Sequence, residues 1–258
     1  MSALRYVYGI GRAADAARVA AAGLTGIEER PVGCVVAGAL LAAVSDVDAS
    51  EYGEVSLNEH VRDLDWLSVR AAQHQAVNGR LLELLGTVIP LSFGAIYRDD
   101  DRVRQMLSEN AEDRKAQLAA LAGHAEWVVT VSRDADVPAD DADVRALDAQ
   151  IAASPPGRAF LLEKQRGTTL SRSIERRDSD AASTALAVLE GVAMRTYQEP
   201  VVAGGTDAVA LRASILVARD REAALARAVG ELESRLAERG YRVRASGPWP
   251  AYRFGAMS

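Results

Sequence analysis

Residues 27–47 read IEERPVGCVVAGALLAAVSDV, and the single Gly38 between two apolar runs decides the fold. Short apolar, β-branched runs on either side of a glycine spell an antiparallel hairpin, here with strands over 27–37 and 40–47. Upstream, 4–10 reads as a strand on the strength of Tyr6, Val7 and Tyr8, ended by Gly9 and Gly11, and 13–22 as a short alanine-rich helix. Downstream, Ser56 precedes Leu57, Val61, Leu64, Leu67, Ala71, Val77, Leu81 and Leu84 at mostly three- and four-residue steps. That spacing predicts one amphipathic helix over 57–85, stopped by Gly86. Residues 87–97 are strand-like again, with Pro90 assigning part of the run to an edge or bulge. The order β-α-β-β-α-β is the ferredoxin-like arrangement, an antiparallel sheet with both helices on one face.

The same order returns in the second half. Asp99, Asp100 and Asp101 open a predicted helix over 99–122, and 127–131 reads as a strand. A polar, acidic stretch over 134–148 and Pro155-Pro156-Gly157 lead into a long helix over 158–196, then a short strand near Val201 and Gly204-Gly205. A strand over 207–218, a helix capped by Asp220 and ended by Gly240, and a strand over 241–246 complete the pattern. The expected organisation is α+β: an N-terminal ferredoxin-like domain over 1–98, a connecting helix over 99–123, and a C-terminal α+β domain over 124–258 with an aromatic tail.

The chain has 258 residues, 49% of them hydrophobic, which is ample for two cores. Aromatics make up only 5% and 49 residues are alanine, so the expected interior is small and aliphatic, without large aromatic pockets. The net charge of −6 repels phosphate backbones, and the richest basic cluster, Arg172, Arg176 and Arg177, is interrupted by Glu175, Asp178 and Asp180. No nucleic-acid partner is expected. A single cysteine, Cys34, excludes an internal disulfide framework and a cysteine-based zinc cluster, and a reducing cytoplasm fits. No window approaches the roughly 18 uncharged apolar residues of a membrane span, and MSALRYVYGI lacks the pattern of an export signal, so no membrane partner is expected.

Motifs that carry chemistry are scarce. Gly9-Ile10-Gly11-Arg12-Ala13-Ala14, with Glu28 and Glu29 about twenty residues on, has the spacing of a dinucleotide fingerprint. The hairpin at Gly38 then interrupts the parallel alternation such a fold needs, and a tight strand-to-helix turn is the expectation. His60, His74 and His124 stand in no metal-binding spacing and are expected to be solvated or hydrogen-bonded. Neither a G-x-S-x-G elbow nor a phosphate-binding G-x-x-x-x-G-K-[ST] loop occurs. Cys34 reads as a small core residue, and the acidic runs at 99–101 and 140–143 as helix starts or a solvated loop. No catalytic, cofactor-binding or metal-binding residue is assigned, and no cofactor is expected.

The tail 247–254, GPWPAYRF, gathers Trp249, Tyr252 and Phe254, three of thirteen aromatics, within six residues. Such residues are expected to dock, either on the protein's own surface or as a clasp on another chain.

Together with Tyr6-Val-Tyr-Gly-Ile10, the block VIPLSFGAI over 88–96, the stretch 123–131 with Glu126, and Gly157-Arg-Ala-Phe-Leu161, this tail resembles the gas vesicle protein F/L family, in order from residue 4 to 254. Ala251 stands where a third proline is common, and Arg253 where a small residue is. The resemblance implies a non-enzymatic, cytoplasmic accessory protein of gas vesicle assembly with two modified ferredoxin-like domains. Its implied partners are the hydrophobic major shell protein and other gas vesicle accessory proteins, and it would be a minor, vesicle-associated component. Candidate partner-binding residues are Trp249, Tyr252, Phe254, Pro90 and Phe93. The alternative is a small-molecule-binding enzyme or regulatory module of the same topology, with Arg212 as the one polar candidate on the 207–218 strand.

Overall fold

The computed structural model describes residues 3–134, 141–201 and 208–255. β1 (Ala3–Arg12), α1 (Ala16–Ala21), β2 (Gly33–Ala37) and β3 (Leu40–Asp48) open the chain. The expected hairpin is present: β2 pairs antiparallel with β3 from Gly33↔Val44 to Ala37↔Leu40, across a turn in which Gly38 takes φ +57°. β2 starts later than the apolar run suggests. Residues 27–29 form a short 3₁₀ turn with Glu28 and Glu29 left-handed, and the Glu28 carboxylate is held at 3.4 Å by both Arg70 and the Tyr52 hydroxyl.

β1 also runs on through the two glycines expected to end it. A Cβ on Gly9 would lie 2.8 Å from both Asn78 Oδ1 and Val88 Cγ2, so this glycine lets a helix and a neighbouring segment approach the strand closely. The G-x-G spacing is thereby explained by packing within an antiparallel sheet.

Asp48 caps α2 (Ala49–Tyr52), which is followed by α3 (Glu54–His60) and α4 (Leu64–Leu85). The single helix predicted over 57–85 is broken at Asp63, whose carboxylate accepts the N–H groups of Asp65 at 3.0 Å and Trp66 at 3.2 Å and starts a new helix. Gly86, at φ +73°, ends α4 as predicted. The 87–97 strand reduces to β4 (Ile89–Pro90) and β5 (Ile96–Tyr97), both paired with β1. The helix expected over 99–122 is two, α5 (Asp100–Glu109) and α6 (Ala111–Leu121), separated at Asn110.

The first sheet has the order β2-β3-β1-β4, the ferredoxin-like order. Tyr6, Tyr8, Leu41, Ala43 and Val47 on one face pack with Val77, Leu81 and Leu82 of α4 and Val19 of α1. Val7, Ala42 and Val44 are buried as well, and α5 packs on β2 and β3 while α6 packs on β1, so the sheet is covered on both faces.

β6 (His124–Arg133), α7 (Ala142–Ala152), α8 (Pro156–Glu190), β7 (Arg195–Gln198), β8 (Ala208–Ala218), α9 (Glu222–Ala237) and β9 (Tyr241–Trp249) follow. Their sheet order, β7-β8-β6-β9, repeats that of the first. Three elements depart from the expectation, one of them α9, which Asp220 does not cap because that residue lies in a short 3₁₀ turn over 219–221. α7 arises inside the acidic stretch because Asp141 caps it, accepting from the N–H groups of Asp143 and Val144. α8 ends at Gly191, short of 196, and β7 takes up the chain from Arg195. The Gly204-Gly205 turn and Asp140 lie outside the described residues. In this core Ala181, Ala185 and Leu189 of α8 and Leu225, Leu232 and Leu236 of α9 pack on β6, β8 and β9, the small aliphatic interior that composition predicts.

The chain forms two compact units, 1–126 together with 247–258, and 127–246. The helices expected to connect the halves, α5 and α6, belong to the first unit, and so does the tail. No helix among the described residues is long and apolar enough to cross a membrane.

Candidate functional site

The first unit is closed by its own C-terminal tail. Pro250, Ala251, Phe254 and Gly255 are buried, and Trp249 and Tyr252 are half-buried. Phe254 keeps 6% of its surface. The anchor is Glu126, itself only 4% exposed, whose Oε2 accepts the backbone N–H of Arg253 at 2.8 Å and of Phe254 at 3.4 Å. Gln117 on α6 donates to the Gly255 carbonyl at 2.7 Å, and a Cβ on Gly255 would meet Pro90 of β4 at 3.5 Å. The tail therefore lies against Pro90 of β4, the last strand in the order of the first sheet.

Beneath Tyr252 lies a polar cluster centred on His74. The α4 stripe that begins Leu67, Ala71 continues at His74, Asn78 and Leu81, which carries an imidazole and an amide into the interior. His74 Nδ1 lies 2.9 Å from the Tyr6 hydroxyl, and Nε2 lies 3.1 Å from the Leu91 carbonyl and 3.0 Å from the Asn78 amide. The Gly94 N–H donates to the Tyr6 oxygen at 3.2 Å. One tautomer suits Tyr6 and Leu91: Nε2–H donates to the Leu91 carbonyl and Nδ1 accepts the Tyr6 proton, and the Asn78 amide then turns its oxygen, not its nitrogen, toward Nε2–H. Burial pushes the His74 pKa below its ordinary value, against the opposing pull of the Leu91 carbonyl. Burial likewise raises Tyr6 and Tyr8, and pushes the Tyr252 hydroxyl up to about 12.

Rings pack around this histidine: Tyr6 at 5.7 Å, Tyr8 at 5.8 Å, Phe93 at 6.0 Å and Tyr252 at 6.5 Å between centroids. Tyr52 and Trp66 extend the cluster. The overall scarcity of aromatics thus conceals a concentration of six of them in one unit, which corrects the expectation drawn from composition.

The family model described as "Gas vesicle synthesis protein GvpL/GvpF" matches residues 4–256. The chain belongs to this GvpL/GvpF family. It is 29% identical to gas vesicle protein L of Streptomyces sp. (strain CB03234), covering 99% of this chain and 94% of that protein. It is 30% identical to gas vesicle protein F of the same strain, covering 96% and 98%. The fold is similar to that of the crystal structure of GvpF from Anabaena sp. PCC7120, with a TM-score of 0.72 at 16% identity over 100% of this chain and 98% of that one. GvpF from Microcystis aeruginosa gives 0.70 at 17% identity over the whole of both chains.

Of the five residues singled out from sequence in this GvpL/GvpF chain, the structure groups Pro90, Phe93, Tyr252 and Phe254 around the seam between tail and first unit. Pro90 and Phe254 are buried in it, whereas Phe93, Tyr252 and Trp249 keep part of their surface. His74, Asn78 and Glu126 complete the seam, and sequence reasoning missed their role. The histidine and asparagine are marked by their place on the apolar stripe of α4, a signal that a list of apolar positions alone passes over. Glu126 has no local signal, since its partners are 127 and 128 residues away.

The remaining candidates are structural. Cys34 lines a cleft of about 320 Å³ with Arg5, Arg30, Ser45, Asp46 and Asp100, but Arg5 is engaged by both Asp46 and Asp100. Among the described residues no group of three or more His, Cys, Asp or Glu side chains could hold a metal ion. Arg212 is exposed on β8. Within the 172–180 cluster, Arg176 pairs with Asp141 at 3.2 Å, Arg177 donates to the Arg239 carbonyl at 2.8 Å, and Asp178 receives Arg133 and the Tyr241 hydroxyl. The cluster ties elements of the second unit together. His60 stacks on Trp66 at 5.0 Å, and His124 Nδ1 lies 2.9 Å from the Ala122 carbonyl.

Proposed function

We propose that this chain is a non-enzymatic, cytoplasmic accessory protein of gas vesicle formation that binds the hydrophobic major shell protein and helps nucleate or assemble the vesicle as a minor, vesicle-associated component. Other gas vesicle accessory proteins are its further partners. The observation that carries the reading is the family match over nearly the whole chain, from residue 4 to 256. A physical argument supports it. A subunit that builds a gas-tight wall presents apolar surface that aggregates in water, and an acidic partner with local apolar contacts keeps such a subunit dispersed.

The contact surface we assign to this role is the half-buried side chains Trp249 and Tyr252 of the tail and Phe93 beside it, with Pro90 and Phe254 holding the tail in place. A second surface is favoured by a separate observation: Phe160 and Leu161, adjacent at the start of α8, are 68% and 66% exposed. Co-expression with the shell protein is expected to bring the two down together and to raise the soluble fraction of the shell protein severalfold. Trp249→Ala is expected to abolish that recovery with little change in thermal stability, and F160S/L161S to leave it intact. If the helix pair fails to bind and Trp249→Ala binds normally, the surface belongs on α8. Absence of any complex, with normal vesicles in a strain lacking this gene, overturns the function itself.

A further inference from the structure

The tail packs beside a buried histidine, with Tyr252 at 6.5 Å from the His74 ring. We propose that His74 is a proton-sensitive latch: the tail over 250–255 stays docked on the first unit while His74 is neutral, and protonation of His74 releases it.

The geometry carries the argument. Neutral His74 accepts the Tyr6 proton at Nδ1 and donates from Nε2 to Leu91. Protonation turns Nδ1 into a donor facing the same Tyr6 oxygen, which already accepts the Gly94 N–H. The Tyr6 proton then loses its partner, and a positive charge appears in a site that is 4% exposed. A buried cation needs water or a counter-charge.

The neighbours supply little counter-charge. From β1 the ring faces Tyr6 and Tyr8, with Tyr52 of α2 behind Tyr6, and from the 91–94 segment it faces Phe93 and the Leu91 carbonyl. On its own helix stand Asn78 and, one turn back, Arg70, a like charge already paired with Glu28. From the tail it faces Tyr252, beyond which Glu126 is engaged by the amides of Arg253 and Phe254.

Tyr252 is the side chain through which the terminal tail covers the ring, so lifting the tail opens that side to water. The tail is a short terminal segment, and such a segment can lift at less cost than unfolding the sheet. The tail also meets α4 through Tyr252, whose hydroxyl the Asn78 side chain faces closely enough to oppose the rise in its pKa.

The sign follows from linkage. The docked form holds His74 below its ordinary pKa of 6.5, so it binds fewer protons than the open form. Docking is fully favourable above that value and weakens as pH falls through it, by at most about tenfold per pH unit for one proton.

Hydrogen exchange of the Arg253 and Phe254 amides, corrected for intrinsic pH dependence, is expected to lose protection by up to about tenfold per unit below pH 6.5, with the second unit unchanged. His74→Gln, which keeps an acceptor and a donor but cannot charge, is expected to flatten that dependence. Proton NMR of the intact histidine gives an independent reading, should that variant fail to fold. In the wild-type chain His74 is expected to titrate below 6.5, and in Phe254→Ala, which loosens the tail, to move up toward it. Protection that ignores pH, an equal slope in His74→Gln, or a His74 titration indifferent to Phe254→Ala would overturn the proposal.

Discussion

Gly26→Ala is expected to destabilise the first unit by about 4 kcal/mol, seen as the loss of its transition at temperatures where the wild-type chain is folded. Gly26 sits at the entrance of the 27–29 turn, its N–H donating to the Arg30 carbonyl at 2.7 Å. A Cβ there would stand well inside contact distance of the Tyr8 hydroxyl and 2.8 Å from Ser45 Oγ. These are not flexible surface groups. Tyr8 is wholly buried, its oxygen accepts the Ile27 N–H at 2.8 Å and donates to Ser45 at 3.1 Å, and Ser45 donates onward to the Pro31 carbonyl at 3.0 Å. One methyl group therefore adds an overpacking cost of roughly 1–3 kcal/mol to the loss of buried hydrogen bonds worth about 1–3 kcal/mol each when a partner is stranded. Two other glycines calibrate the result. At Gly33 and Gly79 a Cβ meets nothing within 4 Å and the backbone is not left-handed. Gly33→Ala is expected to stay within about 0.5 kcal/mol of wild type, and Gly79→Ala, inside α4, to gain about 0.5–1 kcal/mol. Calorimetry of the three variants decides the matter: equal transitions for Gly26→Ala and Gly33→Ala would mean that the Tyr8 chain is not what the glycine protects.

The same residues show what a single sequence reveals of this fold. The hairpin at Gly38 was legible because strand alternation and a left-handed turn are local properties, and the two βαββαβ runs follow from it. Helix breaks were less so. Asp63 and Asp141 are single capping residues in polar surroundings, and the pattern of apolar steps runs through the first and never begins before the second. The tail was recognisable as something that docks, since Trp249, Tyr252 and Phe254 are unusual company in a chain with so few aromatics. Where it docks was only partly so: Pro90 and Phe93 stand in the same candidate surface, but Glu126, Gln117 and His74 come from three further segments and only the folded first unit assembles them. His74 shows the intermediate case: its place on the α4 stripe was visible, whereas its lowered pKa comes from burial among Tyr6, Tyr8 and Phe93, which no spacing rule connects.

If the tail behaves as one docking segment, removing its two main anchors cannot cost twice. Phe254→Ala deletes a ring of 6% exposure, for which about 3–5 kcal/mol is the usual loss in a rigid core. Glu126→Ala removes the acceptor of two backbone N–H groups, at about 1–3 kcal/mol for each buried group left unpaired. A terminal segment has an escape that a core does not: it can lift, hydrate its amides and forfeit only its own docking free energy. Each single variant is therefore expected to cost about 3 kcal/mol in urea unfolding of the first unit, and the double variant little more. That outcome is a coupling of about 2 kcal/mol or greater between side chains 128 positions apart in sequence. Glu126→Gln, which keeps an acceptor oxygen, is expected to fall between wild type and Glu126→Ala. Protease cleavage within the tail should rise in both alanine variants before the sheet is lost. Strict additivity of the two costs, with a protease-resistant tail, would show instead that the segment is an integral part of the first core, and the latch on His74 would have nothing to release.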